Sequence, residues 1–163
     1  MLKQWSKEIL EAWIGVYAKL LPLYAEKFTG TQQQEILNKG IETVQRLSTR
    51  TGPMQVRTCC AQLIGAFADS NSLKSTKLFE DNLVPIIKDI CDDFNWEVRK
   101  EICGQLPFIS KYIGAQTSYI NFYELLEELL DDEEREVIQT SVQAFSEITE
   151  FYLTEENDLK DAP

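Results

Sequence analysis

Three short segments recur along this chain at nearly constant spacing, and that recurrence constrains the fold more than any other feature. They are Pro53-Met54-Gln55-Val56-Arg57, Asn95-Trp96-Glu97-Val98-Arg99 and Glu134-Arg135-Glu136-Val137-Ile138, whose valines lie 42 and 39 residues apart. A period of about 40 residues is that of a repeated helical pair, a unit too small to bury its apolar face alone. Stacking such units is how a chain of this pattern acquires a core.

Each valine opens an apolar stripe that steps by three or four residues. The clearest is Val98, Ile102, Leu106, Ile109 and Ile113. Its counterparts are Val56, Cys60, Leu63 and Phe67, and Val137, Ser141, Phe145, Ile148 and Tyr152. Ahead of each lies a second amphipathic stretch. Residues 31–48 are expected to bury Ile36 or Leu37, then Ile41, Val44 and Leu47. Residues 76–92 should bury Phe79, Leu83, Ile87 and Cys91, and residues 117–130 should bury Ile120, Tyr123, Leu126 and Leu130. Short turns at 49–52, 93–95 and 131–133 separate the members of each pair, with links at 70–75 and 114–116 between pairs. Short links force antiparallel neighbours. No stretch alternates apolar and polar residues as a strand does. The expected fold class is all-α, built from stacked antiparallel helical hairpins.

Upstream, residues 13–28 read as the second helix of an earlier hairpin. There Leu21-Pro22-Leu23 echoes Leu106-Pro107-Phe108, and Thr29-Gly30 closes it as Ile113-Gly114 closes the later one. The domain is expected to span 1–152 as about three and a half repeats, with 153–163 an acidic, disordered tail. Trp5, Trp13, Ile14, Tyr17, Leu20 and Leu21 make a poor polar cap for a stack. The sequence is thus expected to belong to a longer array, or to meet a partner at its ends. Pro85 and Pro107 fall inside helical stretches and are expected to kink them.

Charge and composition narrow the function. The net charge is -11, with residues 1–80 at +3 and residues 81–163 at -14. A phosphate backbone or anionic membrane would be repelled by the second half, so neither is an expected partner. There is no histidine, which removes the commonest general base and metal ligand. Cys59, Cys60, Cys91 and Cys103 form no C-x-x-C pair and fall in apolar helical stretches, where a thiol packs as a small hydrophobe. Carboxylate pairs such as Asp92-Asp93, Glu127-Glu128 and Asp131-Asp132 sit at expected turns and helix ends, where capping accounts for them. Catalysis, a cofactor, a metal and a small-molecule substrate are not expected. The amino terminus carries no signal-peptide pattern, and a cytoplasmic location is the default expectation.

The set Pro85, Asp93, Val98 and Arg99 resembles the HEAT-repeat consensus of the protein phosphatase 2A scaffold. The next unit keeps Asp132 and Val137 but has Ile138 for the arginine, and the preceding one keeps Val56 and Arg57 but has Thr51 for the aspartate. From about Glu35 to Phe151 a further set also resembles the HEAT region of the regulatory subunit 4 family of protein phosphatase 4. That set is Pro85, Lys88, Cys91, Asp93, Glu97-Val98-Arg99, Cys103, Gln105-Leu106 and Ile113-Gly114. The resemblance implies a HEAT-type α-solenoid that scaffolds or targets a serine/threonine phosphatase catalytic subunit. It also implies a link between neighbouring repeats through these residues, Arg57 pairing with Asp93 or Arg99 with Asp132.

The turns of such a stack form one edge, which places Arg50, Phe94, Asn95, Trp96, Glu133 and Arg135 on a candidate protein-binding ridge. Trp96 has two readings: an aromatic anchor for a partner, or a lid folded back over the hairpin end. The expected function is a non-catalytic protein-binding scaffold. A tubulin-binding or nuclear-transport-type HEAT adaptor is the alternative, and acidic turns count against tubulin, itself acidic.

Overall fold

The computed structural model describes residues 31–69 and 76–160 continuously, together with helical positions at 8, 9, 12, 13, 16, 17, 20 and 27. The motif at residues 21–23, the closing pair at 29–30 and the link at 70–75 lie outside the described residues. Six helices follow in order: α1 (Thr31–Leu47), α2 (Met54–Asp69), α3 (Thr76–Cys91), α4 (Trp96–Ile113), α5 (Ala115–Leu130) and α6 (Arg135–Lys160). No strand occurs among the described residues. The fold is all-helical.

The helices pack in two layers. α2 lies against α4 and α4 against α6 along most of their lengths, whereas α1, α3 and α5 touch one another only lightly. α1 also packs on α2, α3 on α4, and α5 on α6. The second helices bury several small residues, Cys60, Ala61, Cys103, Ser141 and Ala144, with Cys60 donating to the Val44 carbonyl of α1. Dispersion rewards such close approach, and each missing methylene would be felt.

Local chemistry sets the helix ends. Pro53 stands just before α2, where its fixed φ suits a first turn, and its carbonyl accepts from the amides of Val56 and Arg57. Asn95 caps α4, its side-chain oxygen accepting from the Glu97 amide at 2.9 Å. Gly114 alone joins α4 to α5, with φ 85° and ψ 158°, a region essentially reserved for glycine. Gly40 serves a close approach instead: a Cβ there would lie 2.4 Å from the Phe67 ring of α2.

Val56, Val98 and Val137 are each the third residue of their helix and are all buried. The stripes of α2, α3 and α4 are buried as the spacing predicts, as are Ile41, Val44 and Leu47 of α1. Two stripes need correction. On α5 the buried face is Ser118, Phe122, Leu126 and Leu129, while Ile120 is 71% exposed and Tyr123 also faces solvent. On α6 Ala144, not Phe145, fills the inner position. Small residues take core positions in both helices, Ser118 on α5 and Ser141 and Ala144 on α6, and hydrogen bonds satisfy the serines. Ser118 donates to Ser110 at 2.7 Å, and Ser141 donates to the Leu129 carbonyl at 3.0 Å.

α6 continues past Tyr152 through Lys160. Apolar periodicity reports burial, not helicity, and a Glu-rich segment can extend a helix without burying anything. Pro85 is exposed and Pro107 buried, each inside an unbroken helix. All four cysteines are buried and none is in a disulfide.

At the amino-terminal end Trp13 stacks on Tyr17 with centroids 5.3 Å apart. Tyr17 meets Phe67 edge-on at 6.3 Å. The described part of this upstream segment is therefore helical and seated on the same core.

Candidate functional site

The turns between α1 and α2, α3 and α4, and α5 and α6 are tied together by arginine side chains from α2 and α4. Arg57 donates through Nε to Asp93 Oδ2 at 2.7 Å and through Nη2 to Asp93 Oδ1 at 3.0 Å. Its remaining nitrogen, Nη1, donates to the Gly52 carbonyl of its own turn. Arg99 repeats the arrangement one unit on: Nε and Nη2 each lie 2.7 Å from Asp132, and Nη1 lies 2.7 Å from the Asp93 carbonyl. Each aspartate also shapes its turn. Asp93 Oδ1 accepts from the Asn95 amide at 2.8 Å, and Asp132 Oδ1 accepts from the Glu134 amide at 2.9 Å.

The two pairs differ in burial. Arg57 and Asp93 side chains are each 2% exposed, whereas Arg99 and Asp132 retain some access to water. The Arg99 hydrogen bond, helped by the Glu134 amide, holds the Asp132 carboxyl below its ordinary range. Arg99 is raised in turn, chiefly by its hydrogen bond to Asp132. Ile138 occupies the corresponding place on α6 and cannot continue the series.

Arg50, Phe94, Asn95, Trp96, Glu133 and Arg135 occupy distinct positions around these turns. Arg50 is exposed and donates to Asp92 at 2.9 Å, a second link between the first two turns. Phe94 is 74% exposed, and its ring covers Arg57, whose guanidinium carbon is 4.4 Å from the centroid. Asn95 is half-buried and serves as the cap. Trp96 is the first residue of α4, half-buried and packed against the core. Lys100 lies 5.9 Å from its ring. Glu133 and Arg135 are exposed at the third turn.

The residues thus assemble into an edge stitched by three ion pairs, with Phe94 its most exposed aromatic. The cover that Phe94 gives Arg57 went unread in the sequence; no spacing rule links residues 37 positions apart. The Lys100–Trp96 contact was legible, since the two are four apart on one helix.

Beside this edge runs a cleft of about 400 Å³ between α2 and α4, with Met54, Thr58, Gln62, Trp96, Glu101 and Gly104 in its walls. Among the described residues no group of His, Cys, Asp or Glu could hold a metal, and no helix is long and apolar enough to cross a membrane.

Two curated relatives align over 120 residues, 73% of this chain. The chain resembles regulatory subunit 4 of serine/threonine-protein phosphatase 4. The mouse protein of that name is 28% identical and the human protein 25%. The chain spans 13% of the length of each relative. No family model matches the chain. No solved structure matches it significantly.

Proposed function

We propose that this chain is a HEAT-type solenoid segment acting as a non-catalytic scaffold for a serine/threonine phosphatase, with the stitched turns as its binding edge. The observation that carries the reading is the repeated ladder, Arg57 to Asp93 and Arg99 to Asp132. Two equivalent bonds, their arginines 42 residues apart and their aspartates 39, hold successive turns in register. A rigid edge presents its side chains with little ordering cost on association. The similarity to phosphatase 4 regulatory subunits supports the choice of partner. A cytoplasmic location, a body over 1–152 and an acidic tail from 153 belong to the same reading.

On this edge Phe94 is the aromatic best placed to meet a partner, with Trp96 and Arg50 beside it. Glu133 and Arg135 extend the contact to the third turn. The test is titration calorimetry of the purified chain against the phosphatase 4 catalytic subunit. Saturable binding that Phe94→Ala weakens by about 2 kcal/mol is the expected result. Undetectable binding of the unaltered chain overturns the phosphatase assignment, and binding indifferent to Phe94 and Arg135 moves the site off the turns.

A further inference from the structure

The cleft between α2 and α4 carries chemistry that the turns do not use. It lies between two adjacent helices of the packed layer, with α6 against the other side of α4. Met54 and Trp96, each the first residue of its helix, mark one end. The charged residues in its walls are Glu97, Lys100 and Glu101. Neither carboxylate has a cation within ion-pair distance among the described residues. Lys100 leans instead on the Trp96 ring, 5.9 Å from its centroid, near the outer limit at which a cation and a ring attract. The adjoining turn of α6 adds Arg135 and Glu136, which balance. The cleft therefore holds one carboxylate more than it holds cations.

Glu101 is held in place. Gln105 donates to it at 3.0 Å, and Gln105 itself lies against Gly65 of α2, where a Cβ would fall 1.9 Å from its side-chain oxygen. The missing side chain at 65 makes room for Gln105, and Gln105 fixes the half-buried carboxylate. A fixed carboxylate beside an aromatic face favours a cation over a neutral or anionic group. Lys100 shows that preference from within the chain, and as an exposed side chain it is free to give way to an incoming cation.

Past Gln62, which lines both, the cleft continues into a second hollow of about 180 Å³ walled by Gly65, Ala66, Gln105 and Phe108. Phe108 is 44% exposed there. Glu101 and Phe108 stand seven residues apart on α4, about 10 Å along its axis. A polyproline-II segment matches that span, because it rises about 3.1 Å per residue and returns every third side chain to the same side. Its backbone has no internal hydrogen bonds, and the Gln62 amide offers it both a donor and an acceptor.

We propose that this cleft binds an extended segment of a partner protein. The segment sets a basic side chain between Trp96 and Glu101, and an apolar side chain three residues on against Phe108. This site stands apart from the turns and does not depend on a phosphatase.

Heteronuclear NMR of the full chain tests it through the indole N–H signals of Trp5, Trp13 and Trp96, the last assigned with Trp96→Phe. The probe is acetyl-Arg-Pro-Pro-Leu-amide, which the prolines hold in the required form. The Trp96 signal should move and saturate, while acetyl-Gln-Pro-Pro-Leu-amide should leave it in place. Glu101→Gln keeps an acceptor for Gln105 and should weaken binding about tenfold. Lys100→Ala should strengthen it by clearing the ring. The Trp13 signal, from a ring packed on the core, reports that each variant stays folded. A Trp96 signal that stays still up to the solubility limit of the arginine peptide overturns the inference. So does equal binding of the glutamine peptide, or binding that Glu101→Gln leaves unchanged.

Discussion

Arg57 and Asp93 form a forked ion pair across 36 residues of sequence, with both side chains almost wholly withdrawn from water. Its members have further bonds, from Arg57 to the Gly52 carbonyl and from the Asn95 amide to Asp93. A buried charge left without its partner is far more costly than a surface pair is valuable. Asp93→Ala should therefore destabilise the protein by about 3–5 kcal/mol. Asp132→Ala should cost less, about 1–3 kcal/mol, because Arg99 can turn to water. Urea unfolding of both variants checks the order; equal losses would show that burial does not set the cost.

The Asp132 pair also predicts a pH dependence. Its carboxyl is depressed in the folded state, chiefly by Arg99, so its contribution is complete above the unfolded value of about 4. As pH falls through the lower folded value, that contribution disappears. The stability gap between the unaltered chain and Asp132→Asn should be constant from neutral pH down to about 5 and shrink below about 4. Denaturant melts across that range measure it, and a gap that widens on acidification would reverse the sign of the argument.

Gly114 tests backbone geometry apart from packing. A Cβ at this position would meet nothing within 4 Å, yet φ is +85°. Gly114→Ala should cost about 1–3 kcal/mol through conformational strain alone. A thermal melt within error of the unaltered chain would mean that the α4–α5 junction relaxes without penalty.

Burial pushes the thiols of Cys60 and Cys103 up to about 12, and raises Cys91 as well. The thiolate is the reactive form, so these three should be inert towards a disulfide reagent at neutral pH while the protein is folded. Denaturant should release them together. Rapid native labelling at any of the three, mapped by mass spectrometry, would contradict their placement in the core.

Trp96 and Phe94 should separate in their effect on stability. Trp96→Ala removes half-buried packing and should cost about 1–2 kcal/mol. Phe94→Ala removes an exposed ring over Arg57 and should cost only about 0.5–1 kcal/mol. Parallel urea melts decide this, and a greater loss at Phe94 would mean that shielding the buried pair matters more than the packing of Trp96.

The sequence by itself determined the helical class and the burial of Val56, Val98 and Val137 near the starts of their helices, because helical periodicity is written in local spacing. The arginine and aspartate partners were also legible, through resemblance: Arg57 with Asp93, and Arg99 with Asp132. The tertiary structure alone decided which of two apolar faces α5 turns inward. Tyr119, Ile120, Phe122, Tyr123, Leu125 and Leu126 surround that helix, so its composition offers no unique stripe. The choice went to Ser118, Phe122, Leu126 and Leu129, where Ser110 and Tyr152 hydrogen-bond to Ser118. The same holds for Ala144 over Phe145 on α6 and for the burial of Arg57. Side-chain volume, hydrogen-bond satisfaction and solvent access there depend on which neighbour lies opposite, and chain spacing carries no record of that.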